Sequence, residues 1–144
     1  MIQLQVQSPF TSQLAVGASV PLGASAIATI WGRNDMSTRQ QMGMRWTIRD
    51  PDGLVVEEYP GGGAIDWEWG YTDPGDAQDF IGGRFDINKS GDWTIAVELV
   101  MNPDNPVIVD TYDGVLCEVT EVFAGTITRK ELTYDSVVGD IPVY

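Results

Sequence analysis

The chain has 144 residues, a formal net charge of −13, one cysteine and no histidine. This length is enough for one domain with a hydrophobic core, and a single cysteine excludes an internal disulfide bond. The absence of histidine removes the usual general base, the Ser-His and Cys-His nucleophile pairs and the commonest zinc ligand. A surface this acidic disfavours binding to nucleic acids and to anionic membranes, because it repels their phosphate groups.

The first half of the chain is predicted to form short β-strands separated by turns. Ile2, Leu4 and Val6 alternate with glutamines, which is typical of a half-buried strand. The Asp-Pro-Asp-Gly sequence at residues 50–53 indicates a hairpin turn, because proline presets one backbone dihedral and glycine accepts a positive φ. The strands predicted in this half cover residues 2–6, 14–16, 20–31, 44–49, 54–59 and 64–69.

The second half is organised around a predicted hairpin at residues 80–100. After its turn, four large apolar residues fall on one face of a strand: Trp93, Ile95, Val97 and Leu99. An edge strand rarely carries such a face, so we predict a central strand from residue 92 to residue 100. Further strands are predicted at residues 107–110, 115–123, 125–134 and 137–144.

Two smaller features of this half are interpreted as structural. Adjacent glycines, Gly82 and Gly83, indicate a bulge in the first strand of the hairpin. Cys117 is interpreted as a small apolar residue on a strand, because the sequence offers no partner that would make its thiol reactive.

The chain as a whole is predicted to be all-β. It shows no helical pattern and no internal repeat, and its many short strands with turns rich in Gly, Pro and Asp indicate a β-sandwich or barrel. We predict a single domain over residues 1–144, with a core at about residues 14–123. Residues 124–144, here called the C-terminal arm, are predicted to be an extension of that core.

Residues 20–100 resemble an immunoglobulin-like or fibronectin type III-like sandwich. The resemblance rests on Trp46 in the third major strand, on the turn at residues 50–53, and on the Ser-Gly-Asp-Trp sequence at residues 90–93. It implies an antiparallel sandwich with extra C-terminal strands, in which Trp46 is buried against the face of the strand at residues 93–99. The chain departs from true immunoglobulin domains in lacking paired cysteines and in carrying Trp93 where a corner tyrosine is often found.

Similar small domains occur on bacteriophage and archaeal virus particles and in cell-surface proteins. The N-terminus lacks the basic and apolar regions of a signal peptide, and no segment is long and apolar enough to span a membrane. We therefore expect the former setting: a virion protein made in the host cytoplasm.

Aromatic residues near the middle of the chain suggest a second function. Trp67, Trp69 and Tyr71 could form a sugar-binding platform, and the tryptophans could equally pack into the core or under a neighbouring subunit. Asp66 and Glu68 supply the carboxylate pair that a glycosidase needs. In a strand, however, these acids face away from the tryptophans, so a hydrolase is kept as a remote alternative and no catalytic residue is assigned.

Acidic loops are the remaining candidate for ligand binding. Asp73, Asp76 and Asp79 supply hard oxygen ligands that suit calcium. The pattern of a helical calcium loop is absent, and aspartates are also common turn formers. No metal or other cofactor is therefore assigned, and calcium is retained as a weak candidate.

The C-terminal arm is predicted to mediate assembly. Arg129 and Lys130 form the chain's only adjacent basic pair, which suits either an exposed strand face or contact with an acidic surface of another copy. The segment from residue 122 onward, and the first strand, are expected to pair with sheet edges of neighbours. The predicted assembly contacts are Ile127, Arg129, Lys130, Leu132, Tyr134, Val137, Val138, Ile141, Val143 and Tyr144.

These patterns together favour a non-enzymatic structural protein. We expect a subunit of a virus particle, such as a capsid decoration, tail or filament component, or of another large homopolymer. Its expected partners are copies of itself or a capsid or tail protein, and the alternative is a carbohydrate-binding module.

Overall fold

The computed structural model of the chain describes residues 1–7, 11–121 and 123–133. Within these residues it contains ten β-strands and no helix, which confirms the predicted all-β class. The strands are β1 (Ile2–Gln7), β2 (Thr11–Ala15), β3 (Ala18–Pro21), β4 (Ser25–Arg33), β5 (Met42–Arg49), β6 (Val55–Tyr59), β7 (Asp66–Trp67), β8 (Ala77–Asp86), β9 (Gly91–Met101) and β10 (Val107–Thr120).

The strands form two sheets that pack as a sandwich. The first sheet has the order β2-β1-β4-β8, with every neighbouring pair antiparallel. The second has the order β3-β10-β9-β5-β6, and β7 also pairs with β5. Its β3 runs parallel to β10, while its other described pairs are antiparallel. The predicted central strand is confirmed, since β9 lies between β10 and β5.

The core lies between the sheets and follows the alternation of the strands. In β4, buried residues alternate with partly exposed ones along nearly the whole strand, so one face of the strand points into the core. Trp46 of β5 is buried, lies opposite Val97 of β9 and stacks on Tyr59 of β6. Leu4 and Val6 of β1 belong to the same core cluster, which therefore begins nearer the N-terminus than residue 14.

Bulges interrupt the regular pairing of neighbouring strands. In the pairing of β4 with β8, two residues of β8, Gly82 and Gly83, lie opposite the single residue Ala28 of β4. The predicted bulge at these glycines is therefore confirmed. A second bulge in β10, between Val115 and Cys117, lets the adjacent Leu116 and Cys117 both be buried. Burial raises the pKa of the Cys117 thiol to about 12, in keeping with the predicted role of a small apolar residue.

Several predicted strands differ from those in the structure. Residues 107–123 were predicted to hold two strands, but β10 is continuous from Val107 to Thr120 because an antiparallel partner, β9, pairs along its length. The strand predicted at residues 125–134 is absent from residues 125–133. Ile127 and Leu132 have opposite parity there, so one strand face could not bury both. The strand predicted at residues 137–144 lies outside the described residues.

The predicted role of the first strand in pairing with neighbours is wrong. β1 is bonded to β2 on one side and to β4 on the other, so both of its edges are occupied. A strand paired on both sides has no free backbone groups to offer another chain.

A buried aspartate ties two turns together. Asp50 accepts hydrogen bonds from the backbone N–H groups of Asp52 and Leu54, at 2.9 and 3.0 Å, which closes the predicted hairpin turn. Lys89, between β8 and β9, lies 2.7 Å from Asp50 Oδ2 and 2.9 Å from Asp52 Oδ2. The hydrogen bond from Lys89 is the main cause that lowers the pKa of Asp50 below its ordinary value.

This contact predicts a pH dependence of stability. Because the pKa of Asp50 is lower in the folded chain than in the unfolded chain, its ion pair stabilises the fold above the ordinary aspartate pKa. That stabilisation should disappear as the pH falls from the ordinary aspartate pKa through the lower pKa of Asp50 in the folded chain. We expect Asp50→Asn to show a shallower loss of unfolding free energy over this range in chemical denaturation at a series of pH values. Identical slopes for the two proteins would contradict the assignment.

Candidate functional site

The first part of β10 is a free sheet edge. β3 pairs with β10 only at residues 117–120, and the Gly17 N–H bonds to the Leu116 carbonyl just before that ladder. On this side of residues 107–114, no strand is paired among the described residues. We call residues 107–114 the free edge. The Thr111 N–H donates to Asp110 Oδ1 at 2.9 Å, and the other backbone groups on this side have no strand partner among the described residues, so another strand can pair with them.

The side chains of the free edge are largely apolar. The exposed apolar residues are Val107, Ile108, Val109 and Tyr112. Val109 is the extra residue of a bulge, since Ile108 and Asp110 lie opposite the adjacent Val100 and Leu99 of β9. Soluble proteins usually protect such edges with bulges or with charged residues, particularly lysine; the free edge has the Val109 bulge and two aspartates, and β10 contains no lysine or arginine.

An apolar groove lies beside the free edge. It has a volume of about 790 Å³ and takes residues from both sheets, because β4, β9 and β10 all reach it. A smaller cavity of about 290 Å³ adjoins it and shares four of its residues, Met1, Trp31, Leu99 and Asp110. The groove is lined by seven apolar residues and glycine, with charged residues at its rim: Met1, Trp31, Gly32, Met36, Ala77, Leu99, Met101 and Val109, together with Asp110 and the ion-paired Arg33 and Asp35.

A glycine sets the depth of this groove. A Cβ atom at Gly32 would lie 2.6 Å from Leu99 Cδ1, so only glycine lets β4 and the Leu99 side chain approach this closely. The groove therefore depends on residues that are distant in sequence, and nothing in the local pattern around residue 32 indicates it.

The C-terminal arm is exposed wherever the structure describes it. Ile127 is 77% exposed and Leu132 is 65% exposed, although both are large and apolar. The Arg129 guanidinium lies 2.7 Å from Glu131 Oε2 in an exposed ion pair, and Lys130 is exposed beside it. The other predicted assembly contacts lie outside the described residues: Tyr134, Val137, Val138, Ile141, Val143 and Tyr144.

The three residues of the predicted aromatic platform, Trp67, Trp69 and Tyr71, do not lie together on one face of a strand. Trp67 is half-buried and packs over β5, where a Cβ atom at Gly43 would lie 2.8 Å from its ring. β7 ends at Trp67, and Trp69 beyond it is fully exposed. Tyr71 is also exposed, with the Arg39 guanidinium 4.6 Å from its ring centroid. Arg39 lies in a polar loop, and no local sequence pattern indicates its contact with Tyr71.

The carboxylates beside these aromatic residues make structural hydrogen bonds. The Tyr59 hydroxyl donates to Asp66, and burial together with this bond raises the tyrosine pKa. Glu68 Oε1 accepts hydrogen bonds from the Met42 N–H at 3.1 Å and the Thr72 hydroxyl at 2.7 Å. The two acids thus connect β7 and the following segment to β5 and β6.

The predicted calcium loop is organised by backbone contacts. Asp73, Asp76 and Asp79 are exposed, and the Asp73 carbonyl accepts a hydrogen bond from the Asp76 N–H at 3.1 Å. Buried Asn34 anchors the loop through two backbone hydrogen bonds, to Gly75 and to the Asp76 carbonyl. Across the described ranges, no group of three or more His, Cys, Asp or Glu residues is placed to hold a metal ion.

No protein-family model matches the sequence, and no curated protein matches it. The chain is similar to the crystal structure of the β-glucuronidase of Bacteroides uniformis, with 12% identity over 78% of this chain and a TM-score of 0.49. The match spans 12% of the length of that enzyme. The chain is also similar to the crystal structure of the C-terminal domain of wzt, with 14% identity, a TM-score of 0.46, and coverage of 91% of this chain and 81% of that one. Both similarities are too distant to bear on function.

The described residues contain no helix with the length and apolar character needed to cross a membrane.

Proposed function

We propose that the protein is a non-enzymatic structural subunit that assembles through its C-terminal arm. The observation that carries this proposal is the exposure of apolar arm residues Ile127 and Leu132, which the sandwich itself leaves uncovered. Strand addition, in which an extended segment of one chain pairs with a sheet edge of another, would bury such residues and satisfy the edge.

The basic pair of the arm supports contact with another copy, although Arg129 already has an exposed ion pair with Glu131. Arg129 and Lys130 lie together in a chain whose formal net charge is −13, so most surfaces of a second copy are acidic. Complementary charge of this kind favours one register of association and disfavours others.

We further propose a virus particle as the setting of this assembly, with the chain made in the host cytoplasm and acting as a decoration, tail or filament component. Its partners would be other copies or a capsid or tail protein. Residues 20–100 resemble an immunoglobulin-like or fibronectin type III-like sandwich, and small domains of this kind occur on bacteriophage and archaeal virus particles as well as in cell-surface proteins.

A carbohydrate-binding module is the second candidate. The full exposure of Trp69, beside exposed Tyr71, favours it, because exposed aromatic rings suit stacking on sugars. Glycan-array binding that disappears in Trp69→Ala, in a chain that stays monomeric, would favour this candidate over assembly.

The assembly proposal predicts that deleting residues 124–144 reduces the chain to a monomer. Light scattering across a range of concentrations should show an oligomer or growing polymer for the full chain and a constant monomer mass for the deleted chain. Thermal unfolding should be similar for both at low concentration, because the described arm residues are exposed. An unchanged oligomeric state after the deletion would contradict the proposal.

A further inference from the structure

We propose that the acceptor of the C-terminal arm is the free edge of β10, with its adjoining groove, in a second copy of the chain; this assignment rests on the proposed function. The free edge offers eight residues of β10 that are paired with β9 on one side only, next to the short ladder that β3 forms with residues 117–120. A strand added there would extend the second sheet beyond β10 and would lie end to end with β3 along the same edge.

The groove fits an apolar strand. Its lining includes Trp31, Leu99, Met101 and Val109, so one face of an added strand would be covered by apolar side chains. The arm sequence supplies such a face between residues 137 and 143. In an extended strand, Val137, Ile141 and Val143 point to the same side because side chains alternate.

The basic pair of the arm is complementary in charge to the edge, whereas the rest of the arm carries three acidic residues, Glu131, Asp135 and Asp140. β10 contains the acidic residues Asp110, Asp113 and Glu118 and no basic residue, and Asp110 also lines the groove. The arm brings Arg129 and Lys130 towards this acidic strand. Two copies with a net charge of −13 repel each other at long range, so a local basic contact helps to select where they meet.

The connectivity favours a second copy over the chain's own arm. The arm follows the end of β10 at Thr120, whereas the free edge lies at the beginning of that strand. β3 occupies the β10 edge at residues 117–120, between the start of the arm and the free edge. An arm returning to its own groove would have to reverse direction and cross β3, while the arm of another copy meets no such obstacle.

The test uses a fluorescent peptide of residues 124–144 and the chain that lacks these residues. Val109→Lys places a charge in the groove, and Val55→Lys makes the same change on β6, at the opposite edge of the same sheet. The two valines are similarly exposed, at 44% and 47%, so neither substitution should impair folding. Fluorescence anisotropy should show at least about tenfold weaker peptide binding for Val109→Lys, since the substitution removes an apolar contact and places an ammonium group, which is costly to desolvate, under the added strand. Val55→Lys should stay within about twofold of the unsubstituted chain.

Each other outcome overturns a defined part of the proposal. Absence of peptide binding, or equal effects of the two substitutions, would show that the arm uses another surface, while the proposed assembly could still hold. If the deleted chain binds the peptide at the free edge but the full chain is a monomer, the arm occupies the groove of its own chain. That result would overturn the role of a second copy. An oligomer that survives deletion of the arm would instead contradict the proposed function itself.

Discussion

Trp46→Ala is expected to destabilise the fold by about 3–5 kcal/mol, the usual range for removing a buried tryptophan. Trp46 is only 2% exposed, and its ring stacks on Tyr59 with 4.0 Å between centroids. Its Nε1 donates a 2.7 Å hydrogen bond to Glu57 Oε1. The substitution therefore leaves a cavity between the sheets and removes a donor from a half-buried carboxylate, whose pKa burial already raises.

Trp69→Ala is the matched control for this prediction. Trp69 is fully exposed, so the same substitution there should change the unfolding free energy by no more than about 0.5 kcal/mol. Urea denaturation of the two variants and the unsubstituted chain would measure both effects. Comparable losses for the two variants would mean that Trp46 does not have the core role that its burial and contacts indicate.

Gly82→Val is expected to cost about 1–3 kcal/mol through overpacking. A Cβ atom at Gly82 would lie 2.5 Å from Glu57 Oε1 and 2.8 Å from Trp46 Cζ2. Glu57 comes from β6 of one sheet and Gly82 from β8 of the other, so the glycine allows the two sheets to approach at this bulge. Any side chain at residue 82 must push apart the carboxylate and indole that hydrogen-bond there.

Gly83→Val is the control for the glycine prediction. Gly83 is exposed, and the nearest atom to an added Cβ there is Glu57 Oε2 at an ordinary contact distance of 3.4 Å. Its backbone N–H, which bonds to Glu57, is retained in the variant. Thermal unfolding should therefore separate the two variants clearly, and equal melting temperatures would contradict the proposed contact at Gly82.

The donor side of the proposed assembly could be predicted from sequence, but the acceptor side could not. Ile127, Arg129 and Lys130 stand out locally, since apolar and basic residues continue past the strands that one sandwich needs. The free edge of β10 has no local signal, because it exists only where β3 ends early beside a longer strand. The sequence also suggested two separate strands in this region, which concealed the length of the edge.

Most strands of the core and several of their irregularities can be predicted from local sequence patterns. The alternation around Trp93, the turn at residues 50–53 and the bulge at Gly82 are local patterns, and each holds in the structure. Period-two alternation and turn chemistry act over a few residues, so they can be interpreted before the pairing of strands is known.

Which strands lie at the sheet edges, and which residues form the groove, depends on contacts between distant parts of the chain. β1 was predicted to pair with neighbouring copies, yet β2 and β4 occupy both its sides. The groove joins Trp31 of β4 to Leu99 and Val109 of the β9–β10 hairpin, which is far from β4 along the chain. The edge and the groove both depend on long-range pairing, because a strand edge is free only when no other segment of the chain pairs with it.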